Sequence, residues 1–204
     1  MSLADDLAAE RLFVAGRLHE GEETLLLLSP AEPGFWAHLT AAPEWADGTP
    51  DPVDRWSARV IGRIAADHGG RALFPFGGPP HTPFYRWALA SGQFFAAPVH
   101  LLVHPQMGLW ASLRGAIALP GRAALPGPEP HPCTGCAAPC AAACPAGALT
   151  PAGYDVPACH GFLDRPAGTS CRSTGCAVRR ACPLSRSYGR LPGQSAWHMR
   201  NFHA

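Results

Sequence analysis

The 204 residues are 47 % hydrophobic and 15 % charged, with a net charge of +1. This excludes a disordered polyelectrolyte and leaves enough apolar material for one compact domain, with or without a small appended module. All 16 basic residues are Arg; with no lysine there is no Walker A loop, no Schiff-base amine and no pyridoxal-phosphate attachment point.

The start, MSLADDLAAERL, is acidic and lacks the basic segment of a signal peptide, and the leucine run Leu25–Leu28 is far too short to span a bilayer. The expectation is a soluble cytoplasmic chain with no membrane partner. Phe13–His19 and Thr24–Ser29 read as two strands joined by EGEE. Phe35–Leu39 opens a short helix, and the Pro-rich stretch 43–52 reads as loop. Asp51–His68 is the clearest helix: Asp51 is placed to cap it, Pro52 suits its first position, and Val53, Trp56, Val60 and Ile64 form one apolar face before Gly69-Gly70 ends it. Arg71–Phe76 reads as a buried strand, residues 77–80 as a tight loop and Thr82–Ser91 as a helix. Val99–His104 and Leu109–Leu119 read as a second hairpin. Residues 121–132, GRAALPGPEPHP, have linker composition. The fold class is therefore α+β, with a body over 1–120, a linker over 121–132 and a separate module over 133–204.

All eight cysteines lie in that module. Charge divides at the same place: residues 1–130 carry 9 Arg against 13 acids, whereas residues 131–204 carry 7 Arg against Asp155 and Asp164 alone. There is no basic run with interleaved aromatics, so nucleic acid is not the expected partner. Thiolate-bound clusters carry negative charge, and nearby Arg offsets it. In a reducing compartment, eight thiols point to metal before disulfides. The first group, Cys133, Cys136, Cys140 and Cys144 followed by Pro145, has spacers of two, three and three residues. It lies close to the ferredoxin run C-x2-C-x2-C-x3-C-P, with Pro139 as one extra residue. Structural zinc favours two well-separated close pairs, often with His. The second group is looser: Cys159, then Cys171, Cys176 and Cys182-Pro183. If helical, Cys136, Cys140 and Cys144 share a face.

The order of a four-cysteine group closed by Cys-Pro, then YDVPACHGFL, then a Gly-Cys pair ending in Cys-Pro resembles the tail of the epoxyqueuosine reductases and the related reductive dehalogenases. The stretch ALASGQFFAAPVHLLVHPQMGLWASLRGAIAL is similar to the segment those enzymes place before their clusters. The resemblance covers roughly residues 71–185. It implies a nitroreductase-like, cobalamin-processing α+β body followed by a ferredoxin-type module with two [4Fe-4S] clusters. It further implies Cys133, Cys136, Cys140 and Cys182 as ligands of cluster one, and Cys144, Cys159, Cys171 and Cys176 as ligands of cluster two. Where the family has a catalytic Asp, this chain has Pro75, Phe76 and Gly77, so epoxyqueuosine reduction is not implied.

Several other residues invite a cofactor. Gly77 and Gly78 lack a side chain and let a flat corrinoid or flavin approach the backbone, or else form an ordinary turn. His100 and His104, at even spacing, would share one strand face as axial ligands or proton donors, or as ordinary surface histidines. His160 is placed to donate to a cluster sulfur, or else packs as an ordinary histidine, and Arg179-Arg180 meet a partner's acids, offset cluster charge or form a solvated helix face. The expected function is single-electron transfer by two [4Fe-4S] clusters with a redox partner protein. A cobalamin-linked reductase and a zinc-binding interaction module are the alternatives.

Overall fold

Leu25–Leu28 organise the first part of the chain. All four side chains are buried, so this strand is covered on both faces. The computed structural model describes residues 2–150 and 153–203. Its strands in chain order are β1 (Leu12–Glu20), β2 (Glu23–Pro30), β3 (Arg71–Leu73), β4 (Phe95–Ala96), β5 (Leu102–Val103), β6 (Gly115–Pro120), β7 (Leu149–Thr150) and β8 (Gly153–Tyr154). Together with its helices they give the mixed α+β composition expected. The chain divides into two compact units: residues up to Phe94 with Ser112–Glu129, and Phe95–Ala111 with residues from Pro130 onward.

In the first unit an antiparallel sheet has the order β1-β2-β6-β3. The β1–β2 hairpin turns through Gly21 and Glu22, with Gly21 at φ 59° in the left-handed region such a short turn needs. A bulge lies between Val14 and Gly16. A Cβ on Gly16 would meet the Ser91 hydroxyl oxygen at 2.8 Å and the Phe94 ring at 3.2 Å, so only glycine fits. The helix Pro52–Asp67 buries Val53, Trp56, Val60, Ile61 and Ile64 and packs on β3 and β6. The Phe35 ring meets Trp56 edge-on at 5.4 Å. Gly69, at φ 68°, closes this helix, and the Gly70 amide returns to the Ala65 carbonyl at 2.8 Å. Asp51 precedes the helix but its side chain makes no cap bond. Arg residues here are ion-paired across elements, among them Arg55–Asp47 at 2.7 Å, Arg63–Glu10 at 2.8 Å, Arg86–Glu20 at 2.9 Å, and Arg59–Glu44.

Several expectations are corrected. The stretch 43–52 begins with a short helix, Pro43–Ala46. The strand expected over Arg71–Phe76 is only Arg71–Leu73, and it is not buried: it sits at the sheet edge. The hairpin expected over 99–119 does not form. Gly115–Pro120 pairs instead with the apolar β2 along six residues and with β3, while Leu102–Val103 pairs with Phe95–Ala96. The leucines of β2 offer a longer and drier partner than a strand broken by Pro98 and Pro105. As a result, residues 95–111 group with the cysteine-rich segment, ahead of the compositional linker. Residues 122–131 are exposed and without regular structure.

Trp56 is 1 % exposed, and Trp56→Ala should destabilise the first unit by about 3–5 kcal/mol in urea unfolding. Asp47 accepts two bonds from Arg55 and one from the Thr49 amide, which together hold its carboxyl at about 2 against an ordinary 3.8. With the folded value lowered, its contribution is present above about pH 4 and is lost as pH falls toward 2. Urea midpoints of Asp47→Asn should accordingly fall less steeply than wild type over that interval.

Candidate metal centre

The second unit is built around its thiols. Ahead of them, β4 and β5 form a short ladder, and His104 and Gly108 bridge to close the following turn. Gly108 has φ 57°, and a Cβ there would sit 2.4 Å from the Ser185 amide nitrogen and 2.6 Å from its hydroxyl. The Ser185 hydroxyl in turn accepts from the Leu109 amide at 2.9 Å. Ser185 lies on the helix Pro183–Ser187, which starts directly after Cys182. This clasp fixes where Cys182 stands. Val99, Val103, Leu109 and Val178 pack with Cys140 and Cys182 in one apolar cluster.

The first cysteine group is a chain of tight turns. The Cys133 amide donates to His131 Nδ1 at 3.1 Å and the Cys136 amide to the Cys133 carbonyl at 3.1 Å. Gly135 and Ala138 have φ of 73° and 49°. Only Pro139–Ala142 is helical, as one 3-10 turn. Cys136, Cys140 and Cys144 therefore do not share a helix face. The path turns Cys140 one way and Cys144 another.

A cavity of about 150 Å³ is lined by Cys133, Cys136, Cys140 and Cys182, with Val103 and Leu109 in its wall. Proteins hold a small organic ring in a space of about this size. Burial raises the Cys133 thiol, and Cys140, Cys136 and Cys182 raise it further; Cys140 is raised by burial and then by Cys182. The remaining thiols form a second set. Cys159 stands on the helix Val156–Leu163, whose cap Asp155 accepts from the Ala158 amide at 2.9 Å. Burial raises Cys159, a hydrogen bond from Tyr154 lowers it, and Cys176, Cys144 and Cys171 raise it again. Cys171 is buried on the helix Thr169–Thr174. Cys176 follows the turn at Gly175, where a Cβ would strike Ser195 and Trp110 at 2.8 Å.

All eight cysteines are free thiols. Among the described residues, no three His, Cys, Asp or Glu side chains converge closely enough to hold a single metal ion. A tetrahedral ion bound to sulfur at 2.3 Å would draw those sulfurs to about 3.8 Å apart. The Cys133, Cys136, Cys140 and Cys182 side chains instead line one cavity. Each set concentrates like charge when ionised, which a cationic core would relieve.

No protein-family model, no curated protein and no solved structure matches the chain. What the site can do rests on its own geometry.

The other sequence candidates fall elsewhere. Gly77 and Gly78 lie in an exposed loop with φ 75° and 110°; a Cβ on Gly77 would meet nothing within 4 Å, whereas one on Gly78 would meet the Pro80 carbonyl oxygen at 2.9 Å. His100 sits in a turn at φ 56°, off any strand, whereas His104 is buried and accepts from the Gln106 amide at 3.1 Å. The two do not share a strand face. His160 turns its ring to Phe202 and His203, with centroids at 4.7 and 4.6 Å. Arg179 donates to the Leu109 carbonyl, and Arg180 to the Gly175 carbonyl at 3.1 Å and the Ser170 hydroxyl at 3.1 Å. Sequence reasoning missed His131, Ser185 and Tyr154. Only Tyr154 left a trace, as the first residue of the YDVPAC segment. Among the described residues, no helix is long and apolar enough to cross a membrane.

Gly108→Val should pry the clasp from Ser185. In chelator-treated protein, Cys140 and Cys182 are expected to react roughly tenfold faster with a chromogenic disulfide, equivalent to about 1.4 kcal/mol of lost local stability.

Proposed function

We propose that the cysteine-rich unit carries two [4Fe-4S] clusters and passes single electrons to and from a partner protein. The observation that supports this is the sorting of eight thiols into two sets that interleave along the chain, Cys182 standing with Cys133, Cys136 and Cys140 while Cys144 stands with Cys159, Cys171 and Cys176. Two independent zinc knuckles would use neighbouring pairs. Interleaving is what ferredoxin-type modules do when the fourth cysteine of one run serves the other cluster. When bound, the clusters would supply reversible one-electron chemistry. The protein's own work is to hold the thiolates, exclude water with Val103, Leu109 and Val178, and set the local field.

Anaerobically purified protein should contain about eight iron and eight acid-labile sulfide, with a broad visible band bleached by dithionite. Cys182→Ser and Cys144→Ser should each lose about half of both, because each removes one ligand from a different set. Zinc without sulfide would overturn the reading.

A further inference from the structure

Two guanidinium groups of the cysteine-rich unit are held on adjacent hydroxyls. Arg172 donates to the Thr169 hydroxyl at 3.2 Å and to the Arg165 carbonyl at 3.4 Å. Arg180 donates to the Ser170 hydroxyl at 3.1 Å and to the Gly175 carbonyl at 3.1 Å. The Thr169 hydroxyl is itself tied to the Pro166 carbonyl at 2.7 Å. Among the described residues, every hydrogen bond from these two side chains ends on a neutral oxygen, and none reaches a sulfur or a carboxylate. Arg165, just ahead of them, is exposed, as are Thr169, Ser170 and Ser173.

Like charges gathered on one surface repel, and here neutral oxygens fix them in place without cancelling them. The unit's own acids do not answer them. It has two, Asp155 and Asp164. Asp155 accepts from the Ala158 amide as a helix cap, and Asp164 pairs with His203 at 2.9 Å. Guanidiniums already ordered lose less freedom when a carboxylate arrives. Residues 165–175 include no aromatic side chain on which a base could stack, and no large apolar one to enter a lipid surface. That leaves the acids of a protein. The same short helix, Thr169–Thr174, carries the buried Cys171, and the carbonyl held by Arg180 directly precedes Cys176. This charged face is therefore about one helix thickness, roughly 10 Å, from a candidate ligand sulfur.

Resting on the electron-transfer reading, we propose that the face made by Arg165, Arg172 and Arg180 over the helix Thr169–Thr174 is the docking surface for an acidic one-electron carrier protein. The transfer across it moves one electron from the carrier to a cluster, with no bond made or broken.

The probe is flavodoxin, an acidic carrier, reduced to its flavin hydroquinone anion. Loss of one electron turns that flavin into the neutral blue semiquinone, whose appearance in a stopped-flow instrument gives the rate, with iron counted on every sample. The second-order rate for the full chain should fall roughly tenfold as salt rises from about 0.02 to about 0.2 M. The double variant Arg172→Glu/Arg180→Glu, with unchanged iron, should be slower by about tenfold or more at low salt and should lose most of that salt dependence. Arg172→Lys/Arg180→Lys, which keeps the charge, should retain most of the rate. With iron intact, a glutamate pair as fast as wild type, or a lysine pair as slow as the glutamate pair, would overturn the docking assignment. Capture of wild type by immobilised duplex RNA, lost in the glutamate pair while its flavodoxin rate stays at the wild-type value, would overturn it in favour of nucleic acid. Wild-type protein without iron would instead overturn the two-cluster reading beneath it.

Discussion

Four thiols around one small apolar space repel one another as soon as they ionise, and the cysteine-rich unit is arranged to hold them there regardless. Burial raises Cys133, Cys140 and Cys159, and neighbouring thiols raise each of them further. Left alone, such a set favours the protonated form, and its affinity for a positively charged core increases for the same reason. The turns at Gly135 and Ala138, the 3-10 turn Pro139–Ala142 and the Gly108–Ser185 clasp are the backbone devices that keep the sulfurs in place. None of them depends on a long helix or a wide sheet. That suits a unit whose described elements, apart from the helix Pro192–Phe202, run to eight residues or fewer.

The two units also treat their arginines differently. In the first, Arg55, Arg59, Arg63, Arg71 and Arg86 each meet a carboxylate. In the second, Arg165, Arg172, Arg180, Arg186 and Arg200 form no ion pair among the described residues. Surface pairs of the first kind contribute little to stability individually, and with 9 Arg against 13 acids that unit stays net acidic. Arginines without acids leave a positive field, the sign that offsets ionised thiols.

The helix Pro52–Asp67 and the β1–β2 hairpin were legible because each is signalled locally: a three-to-four apolar spacing with Pro at its start, and two apolar runs around a glycine turn. The gathering of all eight thiols into the last third of the chain was legible directly, as density and spacing. The hairpin over 99–119 was misread because both segments are apolar and adjacent, and sequence gives no measure of competition from Leu25–Leu28, some ninety residues away. His100 and His104 were misplaced by the same error, since their shared face required that strand. The partner of Ser185 is a glycine far along the chain, a pairing without any local signature. Tyr154 was passed over because a tyrosine between loops is ordinary until the fold brings it against a cysteine.

Cys182 belongs with Cys133, Cys136 and Cys140, yet Cys144, Cys159, Cys171 and Cys176 all precede it. A chain growing from its N-terminus therefore has every donor of the second set while the first still lacks its last. The two thiol sets are completed in the reverse of the order in which they begin, and the first closes only when the helix behind Cys182 has docked on Gly108. A nick or premature stop just before residue 182 would spare one site and leave the other with three sulfurs and an open corner.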